Sequence, residues 1–256
     1  MPSNTVYVIT GANRGIGQGL VETYLRRHAS TVVAVVRSDS ASTSLWAAAE
    51  NFTRGTDSIL HIIVANFSQP LSPQAGIDTF KAATAGLDHI DILICSAGHN
   101  PRMCPTIEVT AEELRESFEI NTILPLTTFQ ALWPLMKGST ATAGPKFIVL
   151  SSSMGSIGEM EQFPAGAYGP SKTAINYIIK SLHMQMAQNG LIAVALHPGW
   201  VQTDMGHFAA QEWGHEAGPP LTPKESVAGI LRIIDDATRE TCSGKFIGHN
   251  GEEIGW

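Results

Sequence analysis

The chain has 256 residues, with 16 Lys+Arg against 23 Asp+Glu for a formal net charge of -7, 43% hydrophobic residues and only 15% charged ones. The acidic balance argues against a nucleic-acid partner, which selects a basic face, and Cys95, Cys104 and Cys242 are too scattered for a disulfide framework or a zinc set. No stretch approaches the roughly 18–20 apolar residues that span a bilayer, and the N-terminal MPSNTVYVITGANRG lacks the pattern of a secretory leader. A cytoplasmic protein with no metal site and no membrane contact is expected, long enough for one large domain.

Short β-branched runs alternate with helical segments along the chain. The runs are 6–10, 31–36, 60–66, 90–95, 146–151, 191–197 and a weaker one at 244–247. Most are continuously apolar rather than alternating, as parallel strands covered on both faces require. The expected fold is therefore α/β: a single-domain, Rossmann-type, doubly wound parallel sheet of about seven strands over 1–256, with helices on both faces. Helix starts are marked by Thr110 with Glu113 as a capping box, by Ser72-Pro73, and by Thr222-Pro223-Lys224-Glu225. Pro125 and Pro134 predict a kink or an early end in the helical stretch after Thr110.

The first strand runs straight into Thr10-Gly-Ala-Asn-Arg-Gly-Ile-Gly17, which opens the first helix. Gly11 permits a tight turn, Gly15 lets backbone approach a pyrophosphate, and Gly17 lets helix pack on strand; Asn13, Arg14 and Ile16 fill out the turn. The spacing is GxxxGxG rather than GxGxxG, but the strand-to-helix setting is the one a dinucleotide site needs. At the end of the second strand an acidic residue would bind the ribose 2′-OH. Here stand Arg37 and Ser38, and a guanidinium there suits a 2′-phosphate, with Arg14 joining from the turn. NADP(H) is therefore expected, with Asp39 as the alternative ribose partner.

Tyr168-Gly-Pro-Ser-Lys172 places a tyrosine and a lysine one helical turn apart at the head of a long apolar stretch. Upstream, an apolar strand ends in Ser151-Ser152-Ser153-Met154-Gly155; downstream, another ends in His197-Pro-Gly-Trp-Val-Gln-Thr-Asp-Met205. Both strand ends lie on the carboxyl edge of a parallel sheet, where ligands bind.

Together these motifs resemble the short-chain dehydrogenase/reductase family in its compact branch: TGxxxGxG at 10–17, Ala97-Gly98, Asn121, a serine, YxxxK, and PGxVxT at 198–203. The resemblance implies Ser152, Tyr168, Lys172 and Asn121 as the catalytic set, Ser152 because the family's serine stands three residues before a glycine, here Gly155. Tyr168 would give its proton to the alkoxide in reduction, its acidity raised by the Lys172 ammonium and the oxidised nicotinamide. Ser152 would bind the carbonyl oxygen, and Asn121 would hold a water linking Lys172 to solvent. Lys172 would also bind the nicotinamide ribose, and Pro198, Gly199, Val201 and Thr203 would line the carboxamide. The family's NNAG reads Cys95-Ser-Ala-Gly98 here, with Cys95 expected to pack as a small apolar residue, and its adenine-touching Asp is replaced by Asn66 followed by Phe67. Relative to the family, three extra residues separate Ser152 from Tyr168, enlarging the loop 156–167.

The region of about 204–222 would close over a substrate, with Met160, Phe163, Trp200, Phe208 and Trp213 as its apolar contacts. YGPSKTAINY, HPGWVQTDMG and SGKFIGHNGEEIGW are most similar to the fungal norsolorinic-acid-ketoreductase-like and sniffer/C-factor carbonyl-reductase branch. This implies NADPH-dependent reduction of an aromatic or polyketide-type ketone; an alcohol-oxidising dehydrogenase and a non-catalytic dinucleotide sensor are the alternatives. Apolar residues face several sides of the helix from Tyr168 (Tyr177, Ile178, Met184 among them) and of 118–136, so a homodimer or homotetramer is expected.

Overall fold

The computed structural model describes residues 4–65, 73–84 and 86–256. Seven strands form one sheet: β1 (Thr5–Thr10), β2 (Ser30–Val36), β3 (Ile59–Val64), β4 (Ile92–Cys95), β5 (Lys146–Leu150), β6 (Ile192–His197) and β7 (Phe246–Gly248), in the order β3-β2-β1-β4-β5-β6-β7. Every neighbouring pair is parallel. The expected doubly wound fold is present, and each expected run holds a strand, with bounds shifted by a residue or two.

Alternation of side chains decides which layer each strand residue joins. Tyr7 and Ile9 pack with α1 (Gly15–Leu25), α2 (Asp39–Ala49) and α8 (Pro223–Asp236) on one face. Val6 and Val8 pack with α3 (Pro73–Ala83), α5 (Leu124–Met136) and α6 (Tyr168–Gln185) on the other. Strand order reverses between β1 and β4, so the loops leaving β1, β4, β5 and β6 diverge and open a crevice at the carboxyl edge. Among the described residues, the candidate site residues sit on those loops, on the helices that follow them, or, for Arg37 and Ser38, at the end of β2.

The caps follow the sequence. Thr110 and Thr222 both make complete capping boxes, starting α4 (Ala111–Phe118) and α8; Ser72 lies outside the described residues. The expected disturbance near Pro125 takes a particular form. A π turn, Glu119–Ile123, separates α4 from α5, Pro125 falls in the first turn of α5, and Pro134 is accommodated inside that helix.

The glycine turn is a tight joint of the fold. Gly11 and Gly15 adopt φ of 65° and 54°, and a Cβ on Gly11 would stand 2.7 Å from Ala97 Cα. A Cβ on Gly17 would run into the Gly11 carbonyl oxygen, so α1 starts flush against the turn only as glycine. Gly17→Ala is expected to cost about 1–3 kcal/mol by overpacking, whereas Gly190→Ala, at φ 66° with nothing in reach of its Cβ, should cost about 1 kcal/mol of backbone strain. Urea unfolding of both variants checks this; equal losses would mean the turn relaxes around the added methyl.

Candidate active site

The site is built where the turn after β5 meets the start of α6. Ser152 is extended (φ -156°) and caps a 3-10 turn, Ser153–Gly155, its Oγ accepting the Met154 N–H at 3.3 Å. The helix lies directly on this turn because two residues have no side chain. A Cβ on Gly155 would stand 2.8 Å from Lys172 Cβ, and one on Gly169 2.9 Å from the Met154 carbonyl. Hydrogen bonds stitch the contact: Thr173 Oγ1 donates to the Gly155 carbonyl at 2.9 Å, and Ser151 Oγ donates to Asn176 Oδ1 at 2.6 Å. Ser151 thereby spends its hydroxyl on α6, while Ser152 and Tyr168 line the same cleft. The glycine that picks out Ser152 in the sequence is thus the residue that lets Lys172 approach it.

Burial sets the electrostatics. It pushes the Tyr168 phenol up to about 12, with the Ser152 hydroxyl pulling the other way. Lys172 Nζ donates to the Leu150 carbonyl at 2.8 Å and stands 5.5 Å from the Tyr168 ring centroid. Burial pulls Lys172 down to about 8, opposed by Cys95. The expected acidifying of Tyr168 by Lys172 is therefore not what the chain does by itself: desolvation outweighs it, and the phenol keeps its proton at neutral pH. Cys95 is buried in the core, its thiol pushed up to about 12 by burial, which leaves it protonated and unreactive.

Asn121 sits in the π turn, and its amide is fully used. Oδ1 accepts the His99 N–H at 2.8 Å, while Nδ2 donates to the His99 carbonyl at 2.9 Å and to Ser171 Oγ at 3.0 Å. The Asn121 side chain thus ties the loop after β4 to α6. In the π turn its carbonyl looks to residue 126, five positions on, rather than to Pro125, which has no N–H.

The residues expected to face the cofactor lie at the ends of β1, β2, β4 and β6. Ala97 N–H donates to Thr10 Oγ1 at 3.3 Å beside Gly11, with Gly98 next to it. Gly199, at φ 82°, follows Pro198, whose carbonyl accepts Ser226 Oγ at 2.7 Å. Thr203 caps α7 (Asp204–Glu212) through the Gly206 N–H at 3.2 Å, and Val201 is buried. Ser38 caps α2, and Asp39 is exposed at its start. Of the arginines in residues 1–40, Arg14 bonds Asp204 at 2.7 Å, Arg26 pairs with Glu22, and Arg27 forks onto Asp235 at 2.8 and 2.7 Å. Among the described residues, exposed Arg37 has no such partner. Asn66 and Phe67 lie outside the described residues.

A cleft of about 610 Å³, its open mouth included, adjoins Ser152 and Tyr168. Ile16, Gly199, Val201 and Thr203 form its cofactor side; Met103, Met154, Met205, Ala209, Trp200 and Trp213 form an apolar wall. Trp213 ties that wall together. It stacks on Phe163 with centroids 4.9 Å apart, meets Trp200 edge-on at 5.7 Å, and donates from Nε1 to the Pro164 carbonyl at 2.9 Å. Of the five expected substrate contacts, Trp200 and Trp213 line the cleft, while Phe163 is outside the lining and stacks on Trp213. Met160 and Phe208 are exposed and outside the lining, because α7 presents Met205, Gly206 and Ala209 to the cleft and the loop carrying Met160 runs over the surface. Sequence reasoning missed Met103, Met154, Asn100 and His197 in the lining. A lone Met or Asn in a loop carries no periodic signal, though His197 was marked by standing at the end of an apolar strand.

Residues 5–213 match the short chain dehydrogenase family, and the chain belongs to it. Over its whole length it is 35% identical to a norsolorinic acid ketoreductase of Aspergillus parasiticus, covering 92% of that protein. Among solved structures it is similar to the carbonyl reductase Sniffer of D. melanogaster (25% identical, TM-score 0.83) and to an NADPH-bound carbonyl reductase from chicken fatty liver (28%, TM-score 0.81), each chain covered completely.

The buried ammonium has a measurable signature. Below about pH 8 Lys172 is protonated in folded and unfolded chain alike, and its desolvation penalty is fully present. Between about 8 and 10.5 the unfolded chain binds more protons, so stability rises with pH. Wild type should therefore gain on Lys172→Met by up to ~3 kcal/mol across that window, read as the difference between their urea-unfolding free energies at pH 7.5 and 10.5; a constant difference would show that the ammonium is solvated.

Proposed function

We propose that this chain is an NADPH-dependent ketoreductase that reduces the carbonyl of a bulky, aromatic or polyketide-type ketone to an alcohol, with Tyr168 as general acid. The observation that carries the reading is the buried Tyr168 phenol, which keeps its proton, lining an aromatic-walled cleft together with Ser152. The glycine turn fits a dinucleotide, since the positions where a Cβ would fill the cradle are glycines. Arg37, without a partner among the described residues at the end of β2, fits the 2′-phosphate that distinguishes NADP(H). Arg14, engaged with Asp204, would join it by exchanging partners.

NADPH, when bound, supplies the hydride. Ser152 Oγ then donates a hydrogen bond to the substrate oxygen and stabilises the charge that develops there. Tyr168 Oη passes its proton to the same oxygen, closing the alcohol. Lys172, held by the Leu150 carbonyl, favours the phenolate left behind and returns a proton to it through a water held at Asn121. A pure dinucleotide sensor needs the glycine turn but not Ser152, Tyr168 and Lys172 brought together.

The wider reading is of one domain over 1–256, cytoplasmic, without nucleic acid or membrane as partner; among the described residues no helix is long and apolar enough to cross a membrane. Self-association is supported by large apolar side chains left uncovered on α6, Tyr177 at 77% and Met184 at 68% exposure, and a homodimer or homotetramer would cover them.

NADPH consumption over aliphatic, steroidal and polycyclic aromatic ketones tests the reaction, and failure on all three classes would overturn it. Tyr168→Phe should lower turnover by about 10³-fold while NADPH binding, read by fluorescence, is kept; substantial residual activity would remove Tyr168 as the acid. Arg37→Asp should weaken NADPH by about 10- to 100-fold with little change for NADH, and an unchanged preference would return Arg37 to the solvated loop.

A further inference from the structure

His197 is the last residue of β6 and lines the cleft beside Ser152, Ser153 and Tyr168, yet the reaction as derived does not use it. Its two ring nitrogens are in different situations. Nδ1 faces the Ser153 backbone N–H at 3.1 Å. A backbone N–H can only donate, so Nδ1 must be the unprotonated, accepting nitrogen. The neutral ring then carries its proton on Nε2. Burial, with His249 alongside, pulls the imidazole down to about 4, so this neutral tautomer persists across the physiological range.

Nε2 hydrogen-bonds no described residue. It also differs from His249 Nδ1 and His215 Nδ1, which are sealed from solvent without partners; Nε2 keeps access to open space, and the open space beside this ring is the cleft. The wall around it sets methionine, tryptophan, valine, isoleucine and alanine beside a few polar groups, Ser152, Ser153 and Tyr168 among them. An N–H donor set in such a wall is costly to leave unpaired once a ligand displaces water. Its natural partner is an oxygen of the ligand.

We propose that His197 is a specificity-determining residue, donating from Nε2 to a second oxygen of the substrate. The position of that oxygen follows from the anchor. Nδ1 is tied to the N–H of Ser153, the residue after the one proposed to hold the reacting carbonyl, so the second oxygen is expected close to that carbonyl. The substrate class is then an aromatic ketone carrying a hydroxyl or keto oxygen on the same or the adjoining ring. This inference rests on the ketoreductase reading and deepens it.

The test compares 8-hydroxy-1-tetralone with 1-tetralone, which lacks the second oxygen. Both kcat/KM and the affinity for the NADP⁺-loaded protein, read through Trp200 and Trp213 fluorescence, are measured for wild type, His197→Asn and His197→Phe. Asparagine keeps an acceptor at the place of Nδ1 and removes the Nε2 donor; phenylalanine removes both. Wild type should prefer the hydroxylated ketone by about tenfold, chiefly through KM, and the preference should collapse toward one in both variants. His197→Phe alone should also lower kcat on both ketones, since the serine turn loses its anchor. Thermal midpoints report whether each variant is folded. Equal affinity of wild type for the two ketones, no binding of either, or a preference that survives in folded His197→Asn would overturn the assignment. If neither ketone is turned over but the binding preference follows His197, the reaction reading fails for these ketones and the His197 assignment stands.

Discussion

The close seating of α6 on the turn after β5 is the contact on which the site depends. It exists because Gly155 and Gly169 leave room for backbone to meet backbone, and the bonds from Thr173 and Ser151 hold it there. That one approach brings Ser152 to the Tyr168 phenol, buries Lys172 beneath them, and consumes the neighbouring serine hydroxyl. A side chain at either glycine would separate two elements whose functional groups act only within hydrogen-bonding reach.

Burial and charge then divide the labour. Inside, desolvation keeps the phenol protonated and holds Lys172 as a weakly basic ammonium, which suits a group that must release and recover a proton near neutral pH. Outside, the acidic excess of the chain pairs off Arg14, Arg26 and Arg27. Arg37 stands apart at the carboxyl end of β2. A net charge of -7 is therefore compatible with an anionic cofactor, because the local field at the crevice is set by a few side chains rather than by the total.

The cleft wall connects three parts of the chain that are distant in sequence. Phe163 from the loop before α6, Trp200 from the turn after β6 and Trp213 from the end of α7 form a continuous aromatic contact. His197 belongs to the same lining but is pinned by its backbone neighbour to the serine turn. Shape recognition and carbonyl positioning are thus mechanically joined at the end of β6. Asn121 makes a comparable joint on the other side, where the π turn lets its amide clamp the loop after β4 to α6.

The strands were legible because parallel strands covered on both faces must be apolar without alternation. The glycine turn was legible because only glycine can occupy it. The same holds for the placing of Tyr168 and Lys172 on one helix face, whereas Ser152 was singled out through the family resemblance. Each of these is a local rule acting over a few residues. What the sequence could not reveal depends on partners far away in the chain: that burial rather than Lys172 governs the Tyr168 proton, that the Asn121 amide is spent on His99 and Ser171, that Met160 and Phe208 stand outside the wall while Met103 and Met154 stand in it. The tautomer of His197 is of this kind as well. An imidazole's protonation is decided by which groups face its two nitrogens, and only the folded chain brings the Ser153 N–H to one of them and the cleft to the other.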